Sequence, residues 1–307
     1  MKKYFTIILF VVLYIVPGKS QYIPIFSDYI SNGLLINPAY SGSREVLSLN
    51  LLFRDQWAGF EGSPLYETFS AHAPLKNAHI GLGFLLMNEK SGPSNITQAY
   101  FNYAYRIIIG SGKIAFGLKA GINYSNNNWS NIYLNDSPDK AFSDNTRSYV
   151  LPNLGLGIYY SSKKVFAGFS IPFILSYRET NPGSGYQIYN DVENYNYLFT
   201  AGYLFDISGS LKIKPSVLLK YNAIYKQQLD LNLNFILLND KLWVGTAYRT
   251  NEAMSSSFEI QLNPQLRFGY SFDYSGGQIN SFKYTSHEIF FRYEFSYKIR
   301  AYSPRYF

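Results

Sequence analysis

Along most of this chain apolar and polar residues alternate one for one. In Gln228-Leu229-Asp230-Leu231-Asn232-Leu233-Asn234-Phe235 every odd position is apolar and every even position polar. In the run from Lys113 to Asn123 the even positions are apolar (Ile114, Phe116, Leu118, Ala120, Ile122), and the odd ones are Lys, Ala, Gly, Lys, Gly and Asn. Between Leu211 and Lys220, Lys212, Lys214, Ser216 and Lys220 point one way, and Leu211, Ile213, Pro215, Val217 and Leu219 the other. A period of two places alternate side chains on opposite faces of a strand; the helical period fits none of these runs. The same template predicts about fourteen strands, near 45–54, 65–74, 79–87, 96–106, 113–124, 149–160, 164–173, 194–205, 211–221, 227–237, 242–249, 256–263, 266–274 and 286–297. Most run roughly 9–12 residues, close to what a tilted strand needs to cross a bilayer.

The connections sort by length. After even-numbered strands they are short: Leu75–Ala78, Ile107–Gly112, Ser161–Lys163, Asp206–Ser210, Leu238–Lys241 and Pro264–Gln265. After odd-numbered strands they are mostly longer, and two, Ser125–Ser148 and Ile174–Glu193, are very long. A barrel of the bacterial outer membrane has an even strand number, short periplasmic turns and long outer loops. The register predicts both termini in the periplasm. A soluble two-sheet sandwich also alternates, but its loops have no reason to sort this way.

Composition narrows the choice. The chain of 307 residues has 30 Tyr and 24 Phe, only 15% charged residues and no cysteine. It begins MKKYFTIILFVVLYIVPGKSQ: Lys2 and Lys3 before an apolar run Tyr4–Val16, then Gly18 and Ser20 ahead of Gln21. That is the form of a secretory signal peptide over residues 1–20. Losing its three lysines lowers the net charge from +7 to +4, too little to argue for nucleic acid. An exported chain without cysteine has no disulfide framework or thiol chemistry. The expected fold is all-β: a transmembrane antiparallel barrel over 45–297, a pre-barrel segment 21–44 and a tail 298–307. Aromatic residues would form its interfacial girdles.

Fourteen strands enclose a lumen too wide for most wall side chains to fill. The pre-barrel segment carries Ile25, Phe26, Tyr29, Ile30, Leu34 and Ile36, with the spacings of a short amphipathic helix among them. It is therefore a candidate plug. Pro38 keeps Asn37 out of the helical region, and Gly42 permits a tight turn into the first strand. The connection Arg54-Asp55-Gln56-Trp57-Ala58-Gly59-Phe60-Glu61-Gly62-Ser63-Pro64 has two glycines and a proline within six positions, which implies a fixed backbone path. It reads as an outer loop with a structural or docking role. The register turns Lys113, Lys119, Lys212, Lys214, Lys220, Arg106, Arg249, Arg267 and Arg292 inward, with Asp230, Glu259, Asp273, Glu288 and Glu294. Mixed signs suit lumenal salt bridges better than a selective charge ring, because a basic residue facing lipid at mid-bilayer costs about 2–4 kcal/mol. The three histidines lie in different places: His72 on the lumen side, His79 near the second turn, and His287 on the lipid side at the start of the last strand. No spacing gathers a Ser–His–acid group, so no catalytic, cofactor or metal site is expected.

Three stretches resemble the PorP/SprF family of outer-membrane proteins in the type IX secretion and gliding systems of Bacteroidetes. They are FSDYISNGLLINPAYSGSR (Phe26–Arg44), LFRDQWAGFEGSP (Leu52–Pro64) followed by TFSAHAPL (Thr68–Leu75), and SHEIFFRYEF (Ser286–Phe295). Ser41 stands where the family pattern usually has Ala, and the tail from Lys298 runs past the expected aromatic strand end, which leaves Phe295, Tyr297 and Phe307 as alternatives for the assembly signal. The resemblance marks Phe26, Tyr29, Asn37, Pro38, Ala39, Tyr40, Gly42, Arg54, Asp55, Gln56, Trp57, Gly59, Pro64, His72, His287 and Glu288 as residues for plugging or partner contact. It implies a non-enzymatic barrel that works with periplasmic secretion components and helps secrete, anchor or retain a large adhesin-like surface protein through that protein's C-terminal domain. The competing readings are a channel or hydrophobic-compound transporter with an N-terminal hatch, and an outer-membrane enzyme.

Overall fold

The computed structural model describes residues 26–76, 78–127, 148–181, 185–224, 227–250, 253–275 and 284–295. The expected signal peptide, Gln21–Ile25, most of the 125–148 connection and the tail lie outside the described residues. Among the described residues seventeen strands occur in chain order. They are β1 (Ser48–Ala58), β2 (Leu65–Pro74), β3 (Ile80–Ser91), β4 (Ser94–Ile109), β5 (Gly112–Asn127), β6 (Tyr149–Ser161), β7 (Val165–Ile171), β8 (Leu175–Asn181), β9 (Gly185–Asn190), β10 (Tyr197–Tyr203), β11 (Phe205–Ser208), β12 (Leu211–Tyr221), β13 (Gln228–Leu237), β14 (Leu242–Arg249), β15 (Ala253–Gln261), β16 (Leu266–Ser275) and β17 (Thr285–Glu294).

Each strand of the wall pairs antiparallel with its neighbours, and β1 closes the ring on β17. Beyond β7, the next stave is β10, which also pairs with β12. Strand β11 continues the path of β10 past Leu204 and pairs with β12 alone. The wall is thus a closed antiparallel barrel of fourteen staves. Closure gives each of the fourteen staves a hydrogen-bonded neighbour on both sides, as the interior of a bilayer requires. Among the described residues no helix is long and apolar enough to cross a membrane.

The alternation is the inverse of a soluble core. On β13 the polar Gln228, Asp230, Asn232 and Asn234 are buried inside, while Leu231 between them is 48% exposed on the outside. On β5, Lys119 is buried and Phe116 is 44% exposed. All the charged residues expected inward follow this phase: those near mid-barrel are buried, and Lys113, Lys212 and Glu294, near the short-turn end, are partly so.

Three local readings need correction. The first strand begins at Ser48, because Glu45 adopts φ +59° and cannot extend the ladder, and it runs on to Ala58 through a register shift after Asp55. The connection 174–193 contains the separate hairpin β8–β9. Asn153 anchors its start: its Oδ1 accepts from the Ile174 and Leu175 amides (both 3.2 Å), and its Nδ2 donates to the Leu175 carbonyl (3.1 Å). The pre-barrel segment forms three short 3-10 turns, Ser27–Ile30, Gly33–Leu35 and Pro38–Tyr40, and no amphipathic α-helix. Asn37 caps the third, its Oδ1 accepting from the Ala39 amide at 2.9 Å, with Pro38 at the first position where a missing N–H costs nothing.

Candidate functional site: the lumen and its inner segment

Residues 26–47 lie against the inner wall. What seats them is a row of small residues that runs straight across five strands. Gly81 of β3 pairs with Ala104 of β4, Ala104 with Gly117 of β5, Gly117 with Gly157 of β6, and Gly157 with Ser170 of β7. The segment lies along this row in reverse order. Ser41 meets Gly81, Ala39 meets Gly117, Asn37 meets Gly157, and the Ser170 hydroxyl donates to the Ile36 carbonyl at 2.6 Å. A Cβ at Gly81 would run into the Ser41 carbonyl, and one at Gly117 into the backbone of Ala39. Tyr40 is buried and packs edge-on against His72 (5.3 Å) and Tyr159 (5.4 Å). Gly42 turns the chain at φ +76°, and its amide donates to His72 Nδ1 at 3.1 Å.

Two ionic clusters hold the segment at different heights. Near the short-turn end, Arg44 pairs with Glu294 (2.7 Å), and Glu45 pairs with Arg106 and with Lys113 (2.7 Å). Ser31 is fixed on both sides there. Its carbonyl accepts from Arg44 (3.0 Å) and Arg292 (2.9 Å), and its hydroxyl donates to Glu259, which also pairs with Arg267 (3.3 Å). Burial opposes the charge on Arg44, but Tyr40 and the Glu294 carboxylate outweigh it and hold its pKa above the ordinary value. Higher in the lumen, Arg54 donates to Asp273 (2.7 Å) and Glu288 (3.1 Å). Ser27 joins them, its hydroxyl donating to Asp273 at 2.7 Å and its amide to Glu288 at 3.1 Å. Phe26 packs edge-on against Tyr66 at 5.5 Å, and the Tyr29 hydroxyl accepts from Asn232 at 2.6 Å. Burial, with Asp230 nearby, raises the Tyr29 phenol well above its ordinary pKa, so it stays neutral.

The sequence-selected residues therefore divide. Phe26, Tyr29, Asn37, Pro38, Ala39, Tyr40, Gly42, Arg54, His72 and Glu288 meet inside the barrel, and the separated words interlock there. Ser27 of the first word, Arg54 of the second and Glu288 of the last form one cluster. A fourth contact joins the last two words at the wall, where the Trp57 amide donates to the Ser286 hydroxyl at 3.1 Å. Asp55, Gln56, Trp57, Gly59, Pro64 and His287 are not in the cluster. Asp55 and His287 sit opposite each other on the outer face of β1 and β17, and His287 Nδ1 lies 2.8 Å from the Tyr270 hydroxyl. The turn after β1 is shaped by Trp57 at φ +57° and Gly59 at φ +88°, with the Gln56 amide donating to the Pro64 carbonyl at 3.0 Å. Sequence reading missed the small-residue row. Its signal was present as Gly, Ala or Ser at inward positions of β3 to β7, but their alignment depends on the pairing register. Among the described residues no group of three or more His, Asp or Glu is placed to hold a metal ion.

The architecture matches solved outer-membrane barrels at the level of fold. The "CymD monoaromatic hydrocarbon channel" superposes with a TM-score of 0.51 at 11% identity, covering 87% of this chain and 93% of that one. The outer-membrane protein Omp33 of Acinetobacter baumannii gives 0.48 at 7% identity, covering 83% of this chain and all of that one. No curated protein matches the chain. A family model described as "Type IX secretion system membrane protein PorP/SprF" matches residues 18–293. The closed barrel, the interlocking of the words that carry the resemblance and a family match over nearly the whole chain lead to one conclusion: this protein is an outer-membrane β-barrel belonging to the PorP/SprF family of type IX secretion system membrane proteins.

Proposed function

We infer that this barrel is a non-enzymatic helper of type IX secretion which holds or hands on an exported, adhesin-like surface protein through that protein's C-terminal domain. Its periplasmic face, the short-turn side where β1 starts and β17 ends, meets the secretion and gliding components. Its signal peptide is removed near Gln21, and residues 26–47 act as a plug. The observation that carries the reading is the interlocking of Ser27, Arg54 and Glu288 in the lumen. The family-word residues that meet inside the barrel fix an inner segment. The lumen is also lined by paired charges of both signs, which suits a sealed interior better than a selective pore. Retention of a secreted protein's C-terminal domain by the full-length barrel, purified in mild detergent, is the expected result. Absence of any secreted or periplasmic protein from that preparation would remove the anchoring role. The competing reading, a channel such as the structurally similar hydrocarbon channel is named for, predicts steady conductance in planar bilayers and no retained protein.

A further inference from the structure

Strand β7 stops short of its neighbour. It ends at Ile171, which pairs with Leu156, while β6 extends past it toward the loop side as far as Tyr149. Beyond Ile171 the chain leaves the ladder and turns into the lumen. Pro172 is buried, and a Cβ at Gly155 would run into its carbonyl. Phe173 places its ring 4.0 Å from the Lys119 ammonium and edge-on to Tyr100 at 5.8 Å. The Tyr100 ring covers the same ammonium at 4.4 Å. Among the described residues no carboxylate pairs with the buried Lys119, so these two ring faces hold its charge. The Ile174 amide donates to the Leu154 carbonyl at 2.9 Å, and Asn153 takes the chain on into β8. The hairpin β8–β9 rests on β6: the Tyr177 hydroxyl donates to the Pro152 carbonyl, and the Tyr186 ring meets Tyr149 at 4.5 Å.

These contacts stand next to the shelf. Gly117 and Gly157, which seat Ala39 and Asn37, pair with each other. Two residues on toward the loop side, Lys119 and Gly155 pair in the same way, about 7 Å along the strands. Strands β5 and β6 thus seat the inner segment on one row and the chain after β7 on the next, with different wall residues. We propose that residues 172–174 are a strap that closes the β4–β6 side of the lumen from the loop side, with Asn153 as its latch, independently of the inner segment. The strap lies outside the strand pairing of the wall, so it can lift from Lys119 without opening the barrel. Strand β8 starts at the next residue, Leu175, so a load on the hairpin passes straight to Phe173. The lumen is obstructed at two neighbouring levels, and displacing one obstruction leaves the other in place.

Lys119 is itself the reporter. The full-length protein in mild detergent is treated with a water-soluble amine-acetylating reagent, and acetylation is read lysine by lysine by mass spectrometry. Lys214 is the control: it is buried on β12, outside the contacts of the strap, with its ammonium 4.6 Å from the Trp243 ring. Asn153→Ala and Phe173→Ala should each raise the rate at Lys119 several-fold and leave Lys214 unchanged. Heat-modifiable gel mobility identifies the variants that assemble, and either one alone decides. An unchanged rate at Lys119 in an assembled variant would rule out the strap. A parallel rise at Lys214 would do the same, because the whole barrel would then have loosened. Arg44→Ala, which loosens the inner segment, should leave Lys119 protected; exposure of Lys119 in that variant would show that the two closures are one.

Discussion

At the scale of single residues, the inner wall uses size as well as polarity. Inward positions of a membrane barrel need only avoid lipid-facing charge to be tolerated, so a lone inward glycine carries little information. Five small residues in register carry more: together they cut a shelf on which the backbone of Asn37–Ser41 lies. Gly117→Val adds three carbons where Ala39 already touches the wall. It should leave barrel assembly intact, judged by heat-modifiable gel mobility, and should unseat the segment, judged by several-fold higher conductance or new protease cleavage near Asn37. Unchanged conductance and protection would mean that the shelf is not what holds the segment. The ion pairs work alongside. Removing Arg44 leaves Glu294 with Arg292 at 3.6 Å and strips one of two donors from the Ser31 carbonyl. Breaking a buried pair by deleting one partner costs about 3–5 kcal/mol in general. Arg44→Ala should therefore loosen the segment more than Lys113→Ala, which takes from Glu45 only the more exposed of its two partners.

At the scale of elements, the strands obey the period-2 pattern because lipid enforces it more strictly than water enforces a soluble surface. An apolar side chain exposed to water is ordinary, whereas a charge exposed to acyl chains is penalised. Leu231→Arg and Phe116→Arg should each cost about 2–4 kcal/mol near mid-strand and reduce membrane yield and the heat-modifiable species. Asn232→Ala and Lys119→Ala should assemble normally. Equal yields for all four would overturn the inside–outside assignment. The pattern was weakest where local geometry interrupts it. The start of β1 was displaced by the left-handed Glu45, and the hairpin β8–β9 stands apart from the wall and so lacks the lipid-imposed alternation. In the inner segment, short 3-10 turns replace a helix because Gly33 and Pro38 interrupt it and because its partners surround it on several sides.

At the scale of the whole molecule, the barrel and its inner segment form two layers, of which the inner depends on the outer. The wall closes through strand pairing alone, so it does not require the segment; the segment has no sheet of its own and depends on the wall. Deleting Tyr22–Ser41 should therefore leave a folded barrel with markedly higher single-channel conductance in planar bilayers. A deletion variant that assembles and conducts no better than the full-length chain would show that these residues do not block the lumen. The segment is held by ion pairs, hydrogen bonds and one shelf rather than by strand pairing.

Much of this protein is set by local rules that any reader of the chain can apply. Strand identity, strand number, the inward face and the sorting of long and short connections all follow from period-2 alternation and turn residues, because each lipid-crossing strand must independently hide its polar groups from the bilayer. The motif words around Asn37, Arg54 and Glu288 were also visible, as was their resemblance to one family. What the linear order left open was how those words meet. Arg54 and Glu288 lie 234 positions apart and become neighbours only because β1 closes on β17. The shelf from Gly81 to Ser170 exists only once five strands take up one register. The path of the inner segment was decided by its contacts with several sides of the wall. Closure and register are collective properties of the sheet, and so the tertiary structure alone determined the site.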